Sequence, residues 1–206
     1  GDSDHRRACV APAPEPSAAK APLILDLFAG AGGWSTGLAA LGRRDIGLEW
    51  DQAACATRAA SGHLTVRTDV AAYPVWPFAR ATGLIASPPC QAWSSAGKRL
   101  GRTDQLLVHQ AIDDLAAGRD TRGLLRTACA DQRSLLVAEP MRYLAALHRH
   151  GRPEWVLMEE VPAVLPLWRH YGNVLRGWGF SAWTGVLNAA DFGVAQTRRR
   201  SILIAS

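Results

Sequence analysis

From Leu23 onward the chain alternates between short apolar runs and stretches with helical spacing. Leu23-Ile24-Leu25-Asp26-Leu27-Phe28 is nearly continuous in apolar residues, the pattern of a strand buried on both faces of a parallel sheet. A glycine-rich turn follows, and then Trp34, Leu38 and Leu41 recur at helical spacing as far as Gly42, a residue suited to the position just past a helix end. Ile46 to Trp50 predicts a second strand and Gln52 to Ala60 a helix. Leu84 to Ala86 predicts a strand running into Ser87-Pro88-Pro89. Asp104 to Ala117 and Ser134 to His148 predict amphipathic helices, Trp155 to Met158 a strand and Leu167 to Arg176 a helix. Ser181 to Leu187 and Ser201 to Ala205 predict two closing strands. Strands alternating with helices of this length predict an α/β fold: a doubly wound, mostly parallel sheet with helices on both faces. Ligands of such sheets sit beyond the carboxyl ends of the strands, so the strand-to-loop junctions are where chemistry is expected.

Composition narrows the class. The 206 residues suffice for one ordinary domain, and 48% hydrophobic against 20% charged residues excludes global disorder. No apolar run approaches the ~20 residues of a membrane span. Residues 1–22 hold four prolines and six alanines without a continuous apolar stretch, which predicts a flexible tail and no signal peptide. The start at Gly1 is expected of a processed or excised segment, and residues 23–206 are expected to form the domain. The net charge of +5 leaves a nucleic-acid partner open, although 21 arginines against two lysines are also expected of a G+C-rich genome. Cys9, Cys55, Cys90 and Cys129 stand far apart, with no C-x-x-C pair and no histidine set at a metal-site spacing. That argues against a zinc or other metal site and against a disulfide framework, and it predicts a reducing, cytoplasmic setting.

Four junctions carry unusual residues. Gly30-Ala31-Gly32-Gly33 brings bare backbone to a helix N-terminus, suited to an anionic ligand or simply to a tight turn. Glu49 ends the second strand, where a carboxylate accepts ribose hydroxyls or is merely solvated. Asp69 is placed to accept from an adenine amino group or to cap a turn. The fourth junction, Ser87-Pro88-Pro89-Cys90-Gln91-Ala92-Trp93-Ser94, presents a cysteine at a strand's carboxyl end in sequence that suits neither a core helix nor a core strand. That favours a nucleophile, whereas Cys55 and Cys129 read as inert thiols.

Taken together, these residues resemble the S-adenosylmethionine-dependent DNA cytosine-5 methyltransferase family. Asp26-Leu27-Phe28-Ala29-Gly30-x-Gly32-Gly33 resembles its first cofactor motif and Ser87-Pro88-Pro89-Cys90-Gln91 its catalytic loop. Met158-Glu159-Glu160-Val161 stands where the family has Glu-Asn-Val, and Gln196-Thr197-Arg198-Arg199-Arg200 matches Gln-x-Arg-x-Arg. The order is the family's, and the likeness covers residues 23–205. It implies a Rossmann-like methyltransferase sheet and S-adenosyl-L-methionine as cofactor. The cofactor would be held by Phe28, Gly30, Gly32, Gly33, Glu49, Trp50, Asp69, Val70, Pro89 and Leu125. It implies Cys90 as nucleophile, Glu159 as the carboxyl that binds the cytosine, and Arg198 and Arg200 as supports for the cytosine carbonyl and a nearby phosphate. DNA contacts are expected from Gln91, Ser94, Lys98, Arg99, Arg102, Gln196 and Arg199.

The chemistry calls for those residue types. Cytosine C5 is too electron-poor to take a methyl group until a thiolate adds at C6. A free thiol ionises near pH ~8.5, so Arg198 and Arg200 are expected to favour the thiolate. The target base must be flipped out of the duplex, and Gln91 to Arg102 reads as a loop that closes over it. Three departures from the family stand out. Glu160 replaces the Asn, where it would hold a structural hydrogen bond or raise the pKa of Glu159. Eighteen residues separate Gly101 from Asp120, more than compact relatives carry. The family's target-recognition domain and returning segment do not follow Ser206, which predicts dependence on a longer parent chain or a second polypeptide. Two alternatives stand beside DNA methylation in a restriction-modification or similar bacterial or phage setting: a non-catalytic remnant of the fold, and RNA cytosine methylation.

Overall fold

The computed structural model describes residues 22–94 and 100–206; Lys98, Arg99 and the predicted tail up to residue 21 lie outside the described residues. Seven strands form one sheet in the order β3-β2-β1-β4-β5-β7-β6. They are β1 (Ile24–Leu27), β2 (Asp45–Glu49), β3 (Leu64–Arg67), β4 (Gly83–Ala86), β5 (Trp155–Glu160), β6 (Ala182–Asn188) and β7 (Arg199–Ala205). The helices are α1 (Gly33–Ala40), α2 (Gln52–Ala60), α3 (Leu100–Ala116), α4 (Arg122–Ala128), α5 (Glu139–His148) and α6 (Leu165–Gly177). β1 to β5 pair in parallel. β7 runs against both β5 and β6 and lies between them.

Strand alternation sorts the side chains. Leu25, Leu27, Leu84, Ala86, Val156, Met158, Leu203 and Ala205 enter the main core, which α3, α5 and α6 close with residues such as Ile112, Leu144 and Trp168. The opposite parity, running through Asp26, Ile85, Leu157 and Glu159 in register, lies on the other face, where Trp34 and Leu38 of α1 and the strand residues Ile85 and Leu157 line one groove. β1 and β4 are buried along their whole length, as their continuous apolar runs require.

Beneath the first junction lies a charged network centred on buried Arg58, Asp45 and Ser35. The Arg58 side chain, on α2, is fully buried. It donates from Nε to Thr65 Oγ1 at 2.9 Å, from Nη1 to Ser35 Oγ at 2.9 Å and from Nη2 to the Leu64 carbonyl at 3.0 Å. Asp45 Oδ2 lies 3.5 Å from Nη2 and also accepts from Ser35 Oγ at 2.7 Å. Gly47 makes the room: a Cβ there would stand 2.2 Å from Nη2. A guanidinium has five N–H donors, and a buried one is tolerated only when they find acceptors.

The sequence reading needs three corrections. Residues Ser134 to His148 are not one helix: a 3-10 segment, Gln132–Ala138, precedes α5, and Pro140 sits in the first turn of α5, where its missing N–H costs nothing. α3 begins at Leu100, so Arg102 belongs to a helix and not to the loop. β3 and α4 were not anticipated; β3 is a sheet edge with no fully buried residue and so lacks an apolar signature.

Candidate active site

Phe28 leaves β1 with φ +59, a left-handed conformation that side chains other than glycine rarely adopt. Strain of this kind gathers at functional sites. The twist sets Phe28 between two cavities at the carboxyl edge of the sheet, each lined in part by it and by Ser87. Gly30 and Gly32 continue with positive φ, and Gly32 caps α1. A Cβ on Gly32 would meet the His63 ring at 2.7 Å, so no larger residue fits there.

The first cavity, about 590 Å³, is lined by Phe28, Glu49, Trp50, Asp69, Val70 and Pro89 among others. Its size is that of an ordinary small-molecule pocket. Glu49 accepts from the Gly30 N–H at 2.7 Å through one oxygen and from the Asp51 N–H at 2.7 Å through the other, so the strand-end carboxylate is oriented by the glycine loop. Asp69 accepts from the Ala71 N–H at 2.9 Å and still reaches the cavity wall. An aromatic face, two carboxylates and an apolar end suit a nucleoside with a charged, flexible substituent. S-Adenosylmethionine has that shape and chemistry, so the residues present fit it. Leu125 lines neither of these two cavities: it lies on α4 against the core, and Leu136 and Arg133, from the 3-10 segment, stand in the wall instead. Gln91, expected at DNA, also lines this cavity.

The second cavity, about 570 Å³, is lined on one side by Gly30, Gly33 and Trp34 and on the other by Glu159, Arg198 and Arg200. The antiparallel course of β7 explains the second group. Its amino-terminal end meets the carboxyl end of β5, so Arg200 Nε reaches Glu159 Oε1 at 2.9 Å and Arg198 Nη2 reaches the same oxygen at 3.4 Å. Trp34 Nε1 donates to Ser87 Oγ at 2.9 Å, tying α1 to the segment that leads from β4 to Cys90.

Cys90 follows the carboxyl end of β4, beside β5, and is half-buried. Its carbonyl accepts from the N–H groups of Trp93 and Ser94 at 2.9 and 2.8 Å, which closes a turn under the thiol. Trp93 is buried, and Gly101 is bare because a Cβ there would stand 2.5 Å from the indole. The Gly101 N–H donates to the Ala92 carbonyl at 2.9 Å, so the two ends of the intervening segment are fastened together. The expected activation of the thiol by the arginines needs correction. Both guanidinia are paired with Glu159, and burial followed by the charge of Glu160 pushes the Cys90 thiol up, with Arg200 opposing only in part. Cys129 is pushed up to about 11 and Cys55 also up, chiefly by burial, which keeps both as thiols.

Glu160 occupies the β5 position beside Glu159 but points the other way, with only 2% of its surface exposed. It accepts from the Val161 N–H, and burial raises its carboxyl to about 8. It therefore takes the structural hydrogen bond. Arg102, Gln196 and Arg199 are all exposed, and Ser94 is half-buried. Among the described residues no group of three His, Cys, Asp or Glu could hold a metal ion, and no helix is long and apolar enough to cross a membrane. Sequence reasoning missed Arg58, Gly47, Trp34, Arg133 and Leu136; of these only Gly47, a glycine inside a strand, carries a local signal of close approach.

A family model described as C-5 cytosine-specific DNA methylase matches residues 23–112 and 122–206. The type II methyltransferase M.Eco47II of Escherichia coli is 31% identical over 192 residues, covering 88% of this chain and 39% of its own length. M.NgoPII of Neisseria gonorrhoeae is 28% identical over 185 residues, covering 88% of this chain and 47% of its own. The chain thus spans less than half the length of these relatives. In fold it is similar to the Dnmt2 methyltransferase of S. pombe, with a TM-score of 0.61 at 17% identity, covering 89% of this chain and 48% of that one. It is also similar to the methyltransferase EhMeth of Entamoeba histolytica, with a TM-score of 0.59 at 14% identity, covering 91% and 53%.

Proposed function

Because the chain belongs to the C-5 cytosine-specific DNA methylase family, we propose that it is the catalytic part of an enzyme that methylates C5 of cytosine in DNA, as in restriction-modification. The observation that carries this reading is the meeting of three elements at one sheet edge. Cys90 follows β4, Glu159 stands one residue before the end of β5 with both arginines on its carboxylate, and a nucleoside-sized cavity adjoins them across Phe28.

In this reading Phe28, Glu49, Trp50, Asp69, Val70 and Pro89 hold S-adenosylmethionine, whose sulfonium supplies an electrophilic methyl group. Phe28 lies against the adenine, and Glu49 accepts from the ribose while its fixed bonds to the Gly30 and Asp51 N–H groups keep it aimed. A cytosine flipped from the duplex enters the Glu159 cavity. There Glu159 bonds N3 and the exocyclic amino group, and Arg198 and Arg200 fix that carboxyl and reach the base carbonyl and a phosphate. Cys90 adds through sulfur to C6, which makes C5 nucleophilic. After C5 is methylated, loss of its proton expels the thiol. The recognition of a DNA sequence we assign to a further stretch of polypeptide, downstream or separate. The short span relative to the curated relatives supports that assignment.

Cofactor binding tests the reading. Calorimetry should show S-adenosylmethionine and its demethylated product binding, while NADH is ignored. Phe28→Ala should weaken binding by on the order of 1 kcal/mol. Glu49→Gln should cost ~1.5–3 kcal/mol, because a charged acceptor is lost. NADH bound in preference to the methyl donor would overturn the assignment. Duplex DNA should bind these 206 residues weakly, with affinity falling steeply as salt rises and little preference among sequences, since exposed arginines such as Arg102 and Arg199 supply phosphate contacts while sequence readout is assigned to a further stretch of polypeptide. Tight binding to one site at physiological salt, by filter retention, would contradict this.

A further inference from the structure

Glu159 and Glu160 are consecutive carboxylates whose side chains leave β5 on opposite faces. Glu159 enters the cavity between Trp34 and the two arginines, whereas Glu160 turns into the molecule with the parity of Val156 and Met158. Buried there, it makes a bond to the Val161 N–H, while Ser201, across from it on β7, donates to the Glu160 and Val161 carbonyls at 3.1 and 2.9 Å and leaves the carboxyl alone. The neighbouring strand β4 is in register, Ala86 opposite Met158, so the chain leaving β4 toward Cys90 and the end of β5 at Glu160 emerge side by side. Of the charges acting on the Cys90 thiol, that of Glu160 is the largest, ahead of Arg200 and Glu159. The charges acting on Glu160 are those of Glu159, Arg200 and Arg198.

From this placement we infer that Glu160 is a positioning residue for the nucleophile: its carboxyl must be protonated for Cys90 to ionise readily, and when charged it holds the sulfur as a thiol. The two groups, lying under adjacent strand ends, titrate as a pair. A neutral Glu160 leaves burial as the main obstacle to the thiolate, with Arg200 favouring it and Glu159 opposing it. Once alkaline solution has charged Glu160, the second negative charge, on sulfur, is opposed within the same buried region. An amide at this position would keep the hydrogen bond to Val161 and lack the charge. The cysteine's ionisation is thereby confined to conditions in which its neighbour is neutral. The inference rests on Cys90 being the nucleophile only for its consequence in methyl transfer; the thiol's own titration is read without turnover.

The experiment follows carboxamidomethylation of Cys90 by iodoacetamide as a function of pH, with the Cys90 peptide quantified by mass spectrometry so that the other cysteines do not contribute. In the wild type the rate should climb gradually through the alkaline range. In Glu160→Gln the climb should sharpen to a single titration with its midpoint about one pH unit lower, which is tenfold in thiolate where Glu160 is charged and the thiol still mostly protonated. The ratio of variant to wild type should then be near tenfold at pH 9 and under twofold at pH 6.5. Glu160→Asp, which keeps a carboxyl, should retain the gradual profile, and Glu160→Asn gives a second amide should Gln disturb packing. Equal ratios at both pH values, or unchanged midpoints in both amides, would overturn the inference while leaving the methyltransferase reading intact. Stability offers a second readout. The folded protein keeps the Glu160 proton up to about pH 8 while the unfolded chain releases it in the ordinary carboxylate range, so this residue's contribution to stability falls as pH rises across that window. The amide should flatten that fall, as read by melting temperature against pH.

Discussion

Replacing Cys90 with serine should abolish methyl transfer while cofactor affinity stays within about twofold of wild type. The serine hydroxyl is far less ionised and less nucleophilic at neutral pH, and the addition at C6 is the step that makes C5 reactive, so a loss of roughly three orders of magnitude or more is expected. Cofactor binding is spared because Cys90 does not line the cavity assigned to the cofactor, whose walls are Phe28, Glu49, Asp69, Pro89 and their neighbours. Two assays on the full-length protein separate these effects: incorporation of labelled methyl groups, and covalent capture by a duplex carrying 5-fluorocytosine, in which the fluorine blocks release of the enzyme. The variant should give neither product nor adduct. Activity within tenfold of wild type, or an adduct still formed, would remove Cys90 from the mechanism. Cys55→Ser and Cys129→Ser should leave both readouts nearly unchanged, because neither thiol lines the two cavities and a serine hydroxyl can keep the bond that Cys55 Sγ gives the Glu49 carbonyl.

The largest effect on stability is expected at Arg58. Arg58→Ala leaves Asp45, Ser35 and the Leu64 carbonyl facing an emptied, water-poor space where five donors had been. Breaking a buried ion pair from one side costs about 3–5 kcal/mol. For a chain of this length each kcal/mol corresponds to roughly 2–4 °C, so melting should fall by on the order of 10 °C or more. Calorimetric or circular-dichroism melting measures this. The double variant Arg58→Met/Asp45→Leu should recover a large part of the loss, since no unpaired charge remains. Equal losses in the single and double variants would show that the charge pairing is not what matters there. Binding of S-adenosylmethionine should weaken along with the melt, because Ser35 and Ala29, which the guanidinium holds, frame the glycine loop.

The legible parts of this molecule are those where chemistry or burial restricts the residue type. β1 and β4 announced themselves because a strand covered on both faces must be apolar throughout, and Cys90, Glu159 and Arg200 because they lie in motifs at strand ends. What escaped depends on partners distant in sequence. Arg58 lies in a small, polar helix and reads as a solvated residue; only Ser35 and Gly47, which make its pocket, distinguish it. The pairing of Arg198 and Arg200 with Glu159 required knowing that β7 is inserted antiparallel beside β5. Periodicity ran unbroken through Pro140, so two segments looked like one helix. Leu125 and Leu136 have equal apolar character, and only the course of the chain before α5 decides which reaches the cavity.

The direction of β7 has a consequence for how such a site diversifies. A parallel strand meets the rim of the site once, at its carboxyl end. The β6–β7 hairpin has both of its ends there: Asn188 closes β6 opposite Arg199, which opens β7. Residues 189–198 close the hairpin on the rim, with Ala189, Phe192 and Arg198 in the cavity wall, so polypeptide can be spliced between Phe192 and Arg198 without parting the strands that carry the site. Inside β7 the tolerance is opposite. Side chains alternate faces, so deleting Ser201 would move Arg200 into the buried position and take its guanidinium from the Glu159 carboxylate. Length is free between Phe192 and Arg198 and fixed from Arg198 onward.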